Sequence, residues 1–354
     1  MNYIGSKYSL LPFLEGVFRQ ISDGTEKTFC DLFAGTGMVG RHFKSLGLRV
    51  IANDIQYYAY SLNKAYIELN HPPDFSNLRL AIVDELKSYR SLLSDPLEEL
   101  FQYLNNIPGK KGFITNHYSP AGNRKYYTEQ NAEKADALRQ LLEVWREKQL
   151  INDQEYFYII ASLIEAIDQV ANTASVYGAY LKSFKKSATR PLNLRPIQLI
   201  NHVENCQAYN RNAIQLIKEI DCDILYLDPP YNHREYGANY HVLETIAKYD
   251  SPSLSGTTGM REYEKSDFCK NKKVAPAFEE IIRNAKAKHI LVSYNDEGLL
   301  PIEKLQSILE LRGNPQLFTT SYSRFKADNG RVYKRDSTVE HVHYVRVIKS
   351  ANVS

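Results

Sequence analysis

The pattern of apolar and polar positions near the N-terminus predicts a strand, a turn, a helix and a second strand. Apolar runs cover residues 28–33 and 49–54, and Val39, Phe43 and Leu46 between them follow helical spacing. Short apolar runs indicate strands, whereas a spacing of three to four residues indicates one face of a helix. We therefore expect a βαβ unit within the first 60 residues.

Further apolar runs lie far downstream. Residues 224–227 and 289–294 form short runs with helix-like stretches around them. Strands that alternate with helices indicate a mostly parallel sheet. The runs at 317–322 and 341–348 are separated by a polar, glycine-containing region. We expect them to form an antiparallel hairpin at the edge of an α/β sheet.

The middle of the chain has few strand signals and strong helical periodicity. Residues 129–148 place their apolar side chains on one face and predict that Arg139 points outward. Residues 154–171 are apolar almost all round, as expected of a buried helix.

A chain of 354 residues with 43% apolar content is long enough for a large domain that carries a second one. We expect residues 1–60 and 205–354 to form the sheet domain, and 61–204 to form a mainly helical insertion. The net charge is only +3, so a nucleic-acid partner would require the positive charge to be concentrated on one face.

The turn after the first strand reads Asp31-Leu32-Phe33-Ala34-Gly35-Thr36-Gly37. Gly35 and Gly37 allow a ligand to approach the backbone closely before the helix begins. With Gly40 they formally match a dinucleotide-binding pattern, which is a weak signal by itself. Asp54 ends the next strand, where a carboxylate can accept both hydroxyls of a ribose. Nicotinamide and adenosylmethionine sites share these features.

Asp228-Pro229-Pro230-Tyr231 follows the apolar strand at 224–227 and favours an adenosylmethionine site over a nicotinamide site. Consecutive prolines have fixed φ angles and no N–H groups, so they hold a carboxylate, carbonyl groups and an aromatic ring in one rigid arrangement. The exocyclic nitrogen of adenine is a poor nucleophile, and acceptors on its N–H bonds make it more reactive. Asp228 and the Pro229 carbonyl are suitable acceptors, and Tyr231 is suited to stacking on an extruded base.

The order of these motifs resembles the Dam-like, D12-class or alpha group of adenine-N6 DNA methyltransferases. Tyr3-Ile4-Gly5-Ser6-Lys7 comes first, the glycine-rich turn follows, then the insertion and finally Asp228 to Tyr231. The resemblance implies a Rossmann-like methyltransferase sheet, S-adenosylmethionine as methyl donor and a target-recognition insertion. The residues expected at or beside the cofactor are Tyr3, Ile4, Gly5, Lys7, Asp31, Phe33, Gly35, Gly37, Asp54, Asn212 and Asp228.

A basic segment in the insertion is the candidate DNA-binding surface. Residues 181–200 contain basic and aromatic side chains but no acidic one. Phosphate contacts from such a segment would provide affinity without sequence information, although a solvated basic face is an equally ordinary role. The residues expected to bind DNA are Lys182, Lys185, Lys186 and Arg190. Residues 256–261 and Ser266 are expected to form a mobile loop that DNA orders.

We therefore expect a sequence-specific adenine-N6 methyltransferase that acts on a flipped base in double-stranded DNA, with a cognate restriction endonuclease as a possible partner. An RNA adenine-N6 or DNA cytosine-N4 methyltransferase is the nearest alternative, followed by a non-catalytic DNA-binding protein, and a nicotinamide oxidoreductase is the weakest. The four scattered cysteines indicate no metal site and a reducing compartment. The N-terminal sequence predicts a cytoplasmic protein.

Overall fold

The computed structural model describes residues 5–90, 95–202, 205–295, 298–323 and 337–348. Their contacts divide the chain into two compact units. The sheet unit contains the described parts of Gly5–Asn63, His202–Tyr236 and Glu264–Ser354. The helical unit contains those of Lys64–Asn201 together with Gly237–Tyr263.

Nine strands occur in the described residues. They are β1 (Thr28–Asp31), β2 (Arg49–Asn53), β3 (Gln207–Tyr209), β4 (Ile224–Leu227), β5 (Leu254–Ser255), β6 (Met260–Arg261), β7 (His289–Asn295), β8 (Pro315–Ser323) and β9 (Ser337–Arg346).

Fourteen α-helices occur in the same ranges. They are α1 (Leu11–Ile21), α2 (Met38–Ser45), α3 (Tyr57–Asn63), α4 (Ser76–Ala81), α5 (Val83–Leu86), α6 (Pro96–Asn106), α7 (Phe113–Tyr118), α8 (Glu129–Glu147), α9 (Asp153–Gln169), α10 (Ala213–Leu216), α11 (Tyr236–Asn239), α12 (His241–Lys248), α13 (Val274–Asn284) and α14 (Ile302–Leu309). A π-helical turn, Lys64–Glu68, directly follows α3.

Seven strands form one sheet in the order β3-β2-β1-β4-β7-β9-β8. The first five are parallel, whereas β9 is antiparallel to both of its neighbours. The mostly parallel sheet and its C-terminal antiparallel hairpin are therefore confirmed. The sequence analysis missed β3, because a three-residue strand is too short for its periodicity to be recognised.

Both faces of the sheet are covered by apolar side chains. All residues of β4 and β7 are buried, as expected for central strands of a parallel sheet. Phe278 of α13 and Leu305 of α14 belong to the core that covers one face. On the other face, the rings of Phe29 in β1 and Phe43 in α2 stack with centroids 3.9 Å apart.

Two long helices run through the helical unit. The α9 helix begins with a capping box, in which Asn152 accepts from the amide of Glu155 and Glu155 accepts from that of Asn152. The outward orientation expected for Arg139 in α8 is wrong. Arg139 is fully buried, because Glu143 and the Tyr156 hydroxyl accept from its guanidinium at 2.6 and 3.0 Å. The helices of the described residues include none that is long and apolar enough to span a membrane.

A long segment of the helical unit after α9 has no regular secondary structure up to residue 201, although the sequence predicted helical periodicity there. Side chains from earlier helices satisfy its backbone instead. Asn131 accepts from the amide of Leu192 and donates to the Arg190 carbonyl, and Asn105 contacts both backbone groups of Leu194. These amide side chains replace the hydrogen bonds that a helix would have provided.

The segment Gly237–Tyr263 belongs to the helical unit, whereas the sequence analysis assigned it to the sheet domain. Its second half contains β5 and β6, which pair as a short antiparallel hairpin. Of the residues 256–261 expected to form a mobile loop, 256–259 form the turn of this hairpin and 260–261 form β6, and the mobility stays a prediction. Ser266 lies outside the hairpin and caps a short 3₁₀ helix, Asp267–Cys269.

Candidate active site

Three aspartates lie where parallel strands end. Asp31 is the last residue of β1, and Asp54 and Asp228 directly follow β2 and β4. Because β1 pairs in parallel with both neighbours, these carboxyl ends meet at one edge of the sheet. Ligands of open α/β sheets bind at this edge.

The glycine-rich turn is held from two sides. The backbone amide of Gly35 donates to Asp54 Oδ2 at 2.8 Å, and Asn63 Nδ2 in α3 donates to the Gly35 carbonyl at 2.9 Å. Gly37 has a φ of +75°, and a Cβ there would lie 2.5 Å from Asn63 Oδ1. The turn therefore requires glycine at 37 for both conformation and space.

Lys7 forms a buried charge cluster with two carboxylates. Its Nζ lies 3.2 Å from Asp228 Oδ1 and 2.7 Å from Glu340 Oε1. Ser293 Oγ in β7 donates to the same Glu340 oxygen at 3.0 Å. Glu340 in β9 thus holds the ammonium beside Asp228.

These charges determine the ionisation of the site. Burial raises the pKa of Asp228 to about 6, while Lys7 acts in the opposite direction and Glu340 raises it further. Burial would lower the pKa of Lys7, but the charges of Asp228 and Glu340 hold it well above the ordinary lysine value. Burial, with repulsion from Asp228 and Asp54, raises the pKa of Asp31 well above its usual range.

The rest of the Asp228-Pro229-Pro230-Tyr231 corner is held by packing. Pro229 is buried and Pro230 is partly buried. The Tyr231 ring lies edge-on to that of Tyr294, with centroids 6.3 Å apart, and its carbonyl accepts from the amide of Leu299 at 2.8 Å. The corner thus has the rigidity expected of two consecutive prolines.

The other residues expected at the cofactor occupy different surroundings. Gly5 has a φ of +80°, and a Cβ there would lie 2.5 Å from Tyr236 Oη. Phe33 packs edge-on against Phe268 with centroids 5.0 Å apart. Asn212 caps α10 by accepting from the amide of Ile214 at 3.0 Å, and its contact with a cofactor stays a prediction. Tyr3 and Ile4 lie outside the described residues.

The basic segment has one member that differs from the others. Lys182, Lys186 and Arg190 are exposed, whereas Lys185 is partly buried and donates to the Thr173 carbonyl at 2.7 Å. Lys185 therefore supports the fold of the helical unit. The exposed three have the accessibility that phosphate contacts require, and their role stays a prediction.

Sequence analysis missed two residues of the site, Asn63 and Glu340. An asparagine within a helix and a glutamate within a strand carry no motif, and their roles depend on contacts with Gly35 and Lys7 that are distant in sequence. The available signal for Glu340 was an acidic residue directly before the predicted strand at 341–348. Within the described ranges, no three histidine, cysteine, aspartate or glutamate side chains are grouped to hold a metal ion.

Known proteins are similar over almost the whole chain. The type II methyltransferase M.NlaIII of Neisseria lactamica is 44% identical over 349 residues, covering 97% of this chain and 98% of that protein. M.CviAII of Paramecium bursaria Chlorella virus 1 is 34% identical, covering 92% and 93% respectively. M.FokI of Planomicrobium okeanokoites is 38% identical over 98% of this chain, which spans 52% of that longer protein.

The family comparison covers both units. Residues 3–308 match the family described as D12 class N6 adenine-specific DNA methyltransferase. The match includes the glycine-rich turn, the helical unit and the Asp228-Pro229-Pro230-Tyr231 corner. The chain therefore belongs to the D12 class of N6 adenine-specific DNA methyltransferases.

Proposed function

We propose that the chain methylates adenine N6 within a short specific sequence of double-stranded DNA, and that Asp228-Pro229-Pro230-Tyr231 is its catalytic corner. The observation that carries these residue roles is the partly buried Asp228 carboxylate, paired with Lys7 at 3.2 Å, at the sheet edge that also holds Asp31 and Asp54. A largely desolvated carboxylate whose pKa is raised to about 6, at a ligand-binding edge, is a functional-site signal.

The corner supplies hydrogen-bond acceptors to the adenine amino group. Asp228 and the Pro229 carbonyl would accept hydrogen bonds from its two N–H groups. This localises the lone pair on the nitrogen, so that the nitrogen can attack the methyl group. Tyr231 would stack on the base after it leaves the duplex. Stacking contributes about 1 to 3 kcal/mol, which offsets part of the cost of unstacking. The surplus amino proton then leaves to Asp228 or to solvent.

The residues at the sheet edge suit S-adenosylmethionine, which supplies an electrophilic methyl group when it is bound. Asp31 Oδ1 is buried and has no hydrogen-bond partner among the described residues, so it offers an acceptor to a donor group of a ligand. Gly35 and Gly37 allow close approach to the backbone. Asp54 would accept hydrogen bonds from the ribose hydroxyls while it continues to accept one from the Gly35 amide.

The helical unit would contact the DNA backbone. Lys182, Lys186 and Arg190 are exposed in a segment without acidic residues between Asp168 and Glu204. Basic side chains of this kind bind phosphates and set the salt dependence of affinity.

We further propose that the chain is the modification partner of a restriction endonuclease. The support is that M.NlaIII and M.CviAII, which it matches over almost their entire lengths, are type II methyltransferases. DNA methylated by the chain should resist cleavage by the cognate endonuclease at the shared site. Full cleavage of completely methylated DNA would contradict this partnership.

The central test is methyl transfer from labelled S-adenosylmethionine to duplex DNA, followed by digestion to nucleosides. We expect label in N6-methyl-2′-deoxyadenosine and none in N4-methyl-2′-deoxycytidine, with no transfer to an RNA of matching sequence. Asp228→Ala should abolish transfer while DNA affinity is retained. Label in cytosine or RNA would contradict the proposal, and an active Asp228→Ala variant would refute the role of the corner.

A further inference from the structure

The short hairpin formed by β5 and β6 lies in an unusual position along the chain. It follows the catalytic corner in sequence, yet it packs within the helical unit. From Ser251 to Arg261 the chain has no acidic residue and many hydroxyl groups. Ser255, the last residue of β5, and Thr257, in the turn that follows, are exposed and form the tip of the hairpin.

Three of the four backbone carbonyls in the turn between β5 and β6 accept a hydrogen bond from a side chain, and the fourth lies beside a histidine nitrogen. Arg124 donates to the carbonyls of Gly256 (3.2 Å) and Thr257 (2.9 Å), His241 Nε2 lies 3.2 Å from that of Thr258, and Tyr118 donates to that of Gly259 (3.0 Å). Tyr118 and His241 are fully buried. An exposed turn that only connects two strands would leave these carbonyls to water.

Close packing at Gly259 and an ion pair at the base of the hairpin also hold the turn. Gly259 is buried, and a Cβ there would lie 2.7 Å from Arg124 Nε. Arg261 in β6 forms a two-pronged ion pair with Asp250, with distances of 2.9 and 2.7 Å. A bidentate ion pair of this kind restrains the geometry of the two side chains as well as stabilising the hairpin. The tip is therefore held in one conformation.

The turn carbonyls face protein side chains, so the exposed hydroxyls of Thr257 and Ser255 are the polar groups that the tip offers to a partner. Ser255 Oγ donates to the Met260 carbonyl at 3.2 Å and keeps its acceptor lone pairs for that contact. A hydroxyl can donate and accept, so it can contact any base edge. A rigid support makes such contacts selective, because a mismatched base cannot be accommodated by a shift of the backbone.

The hairpin is continuous with the basic segment. Arg124, which holds the turn, is followed by Lys125, whose Nζ donates to the Lys182 carbonyl at 2.9 Å. The Tyr180 hydroxyl lies 3.4 Å from the Asn123 carbonyl, so the same strip of chain contacts both parts. The uncharged tip therefore adjoins a surface whose charge complements DNA phosphates.

We infer that the tip of the β5–β6 hairpin contacts duplex DNA and reads part of the target sequence, while the basic segment holds the phosphates. The inference rests on the proposed function. It adds that residues after the catalytic corner in the chain, as well as the insertion before it, read the target sequence. Arg124, Tyr118 and His241 are then positioning residues for the tip.

The first test introduces a negative charge at the tip. Thr257→Asp should weaken binding to cognate duplex by roughly tenfold or more, because the carboxylate would face the DNA. Ser307 on α14 is an exposed residue of the sheet unit, and Ser307→Asp serves as the matched control with unchanged affinity. Circular dichroism verifies that both variants fold. An affinity of Thr257→Asp within twofold of the wild type would overturn the contact.

The second test measures sequence reading. Methylation-sensitive sequencing of DNA from cells that express the chain first identifies the target. Methylation rates are then compared on cognate duplex and on duplexes with single-base changes. Ser255→Ala and Thr257→Ala together should reduce the preference at one or two base positions by roughly tenfold, whereas Ser307→Ala should not.

The outcomes separate the inference from the proposed function. Unchanged selectivity in the double alanine variant would overturn the sequence-reading role, even if the charge at Thr257 weakens binding. Absence of methylation by the wild-type chain would instead refute the proposed function. A selectivity change with a normal rate on cognate DNA supports both.

Discussion

At the scale of single residues, Asp228 is influenced by opposing charges. Lys7 favours its ionised form, while burial and Glu340 favour the protonated form, and the resulting pKa is about 6. Asp31 and Tyr226 also lie in the field of this carboxylate. A protonated carboxyl is a weaker acceptor for the adenine N–H and cannot take up the amino proton. Activity should therefore fall as the pH drops below about 6.

We predict that kcat/KM for methyl transfer falls about tenfold for each pH unit below about 6. In Glu340→Gln, the loss of the neighbouring negative charge should lower the pKa of Asp228. The acid limb of the profile, which is the fall in kcat/KM at low pH, should then move to lower pH. The measurement is a pH–rate profile at saturating S-adenosylmethionine.

Glu26→Gln is the matched control for the Glu340 experiment, because Glu26 is also buried in the sheet unit and pairs with His289 at 3.1 Å. It should reduce stability without moving the acid limb. An identical profile in Glu340→Gln and the wild type would show that Glu340 has no influence on Asp228.

A second residue-scale prediction concerns His343 in β9. It is fully buried, both ring nitrogens have no hydrogen-bond partner among the described residues, and burial lowers its pKa to about 4. Below pH 6.5 the unfolded chain binds a proton that the folded chain excludes, so stability is present above 6.5 and is lost as pH falls toward 4. The loss amounts to about 3 kcal/mol.

Thermal unfolding midpoints measured from pH 7 to 4 test this expectation. His343→Leu should flatten the pH dependence, whereas substitution of the exposed His71 by glutamine should leave it unchanged. A wild-type midpoint that does not fall over this range would contradict a neutral buried His343.

At the scale of elements, the turn between β1 and α2 limits what position 37 tolerates. Gly37→Ala would introduce both an unfavourable φ and a contact 2.5 Å from Asn63 Oδ1. We expect a loss of about 1 to 3 kcal/mol in stability and at least tenfold weaker binding of S-adenosylmethionine, measured by calorimetry.

Gly47→Ala separates the two effects, because Gly47 has a φ of +91° and open space around the added carbon. It should reduce stability without weakening cofactor binding. Equal cofactor affinity in Gly37→Ala and Gly47→Ala would show that the contact with Asn63 does not matter for the ligand.

The elements also show what could be predicted from the sequence. The strands around Asp31, Asp54 and Asp228 were recognisable, because apolar runs and glycine or proline at their ends are local signals. The contacts of Glu340 and Asn63 were not, since they join positions far apart in the chain. The hairpin at 254–261 was also missed, because Arg124 and Tyr118 order a sequence that otherwise has the composition of a loop.

At the scale of the whole molecule, the exposed basic residues should control how DNA binding depends on salt. Lys186→Ala and Arg190→Ala should each reduce the slope of log K against log salt concentration by about 1, equally for all sequences. Binding titrations at several salt concentrations provide the measurement.

Lys185→Ala is the contrasting variant of the same segment. Its ammonium is used within the protein, by the Thr173 carbonyl. It should lower the stability of the helical unit and leave the salt slope unchanged. A slope change as large as that of Lys186→Ala would place Lys185 on the DNA instead.

The order of the chain through the two units has a consequence for synthesis on the ribosome. The helical unit is completed only when Gly237–Tyr263 has emerged, well after β4 and the catalytic corner. Protein domains generally fold as units during translation. The Tyr118 hydroxyl contacts α12 and the hairpin, which are both synthesised more than a hundred residues after it. Chains stalled on the ribosome before residue 263 should therefore be cleaved readily by protease.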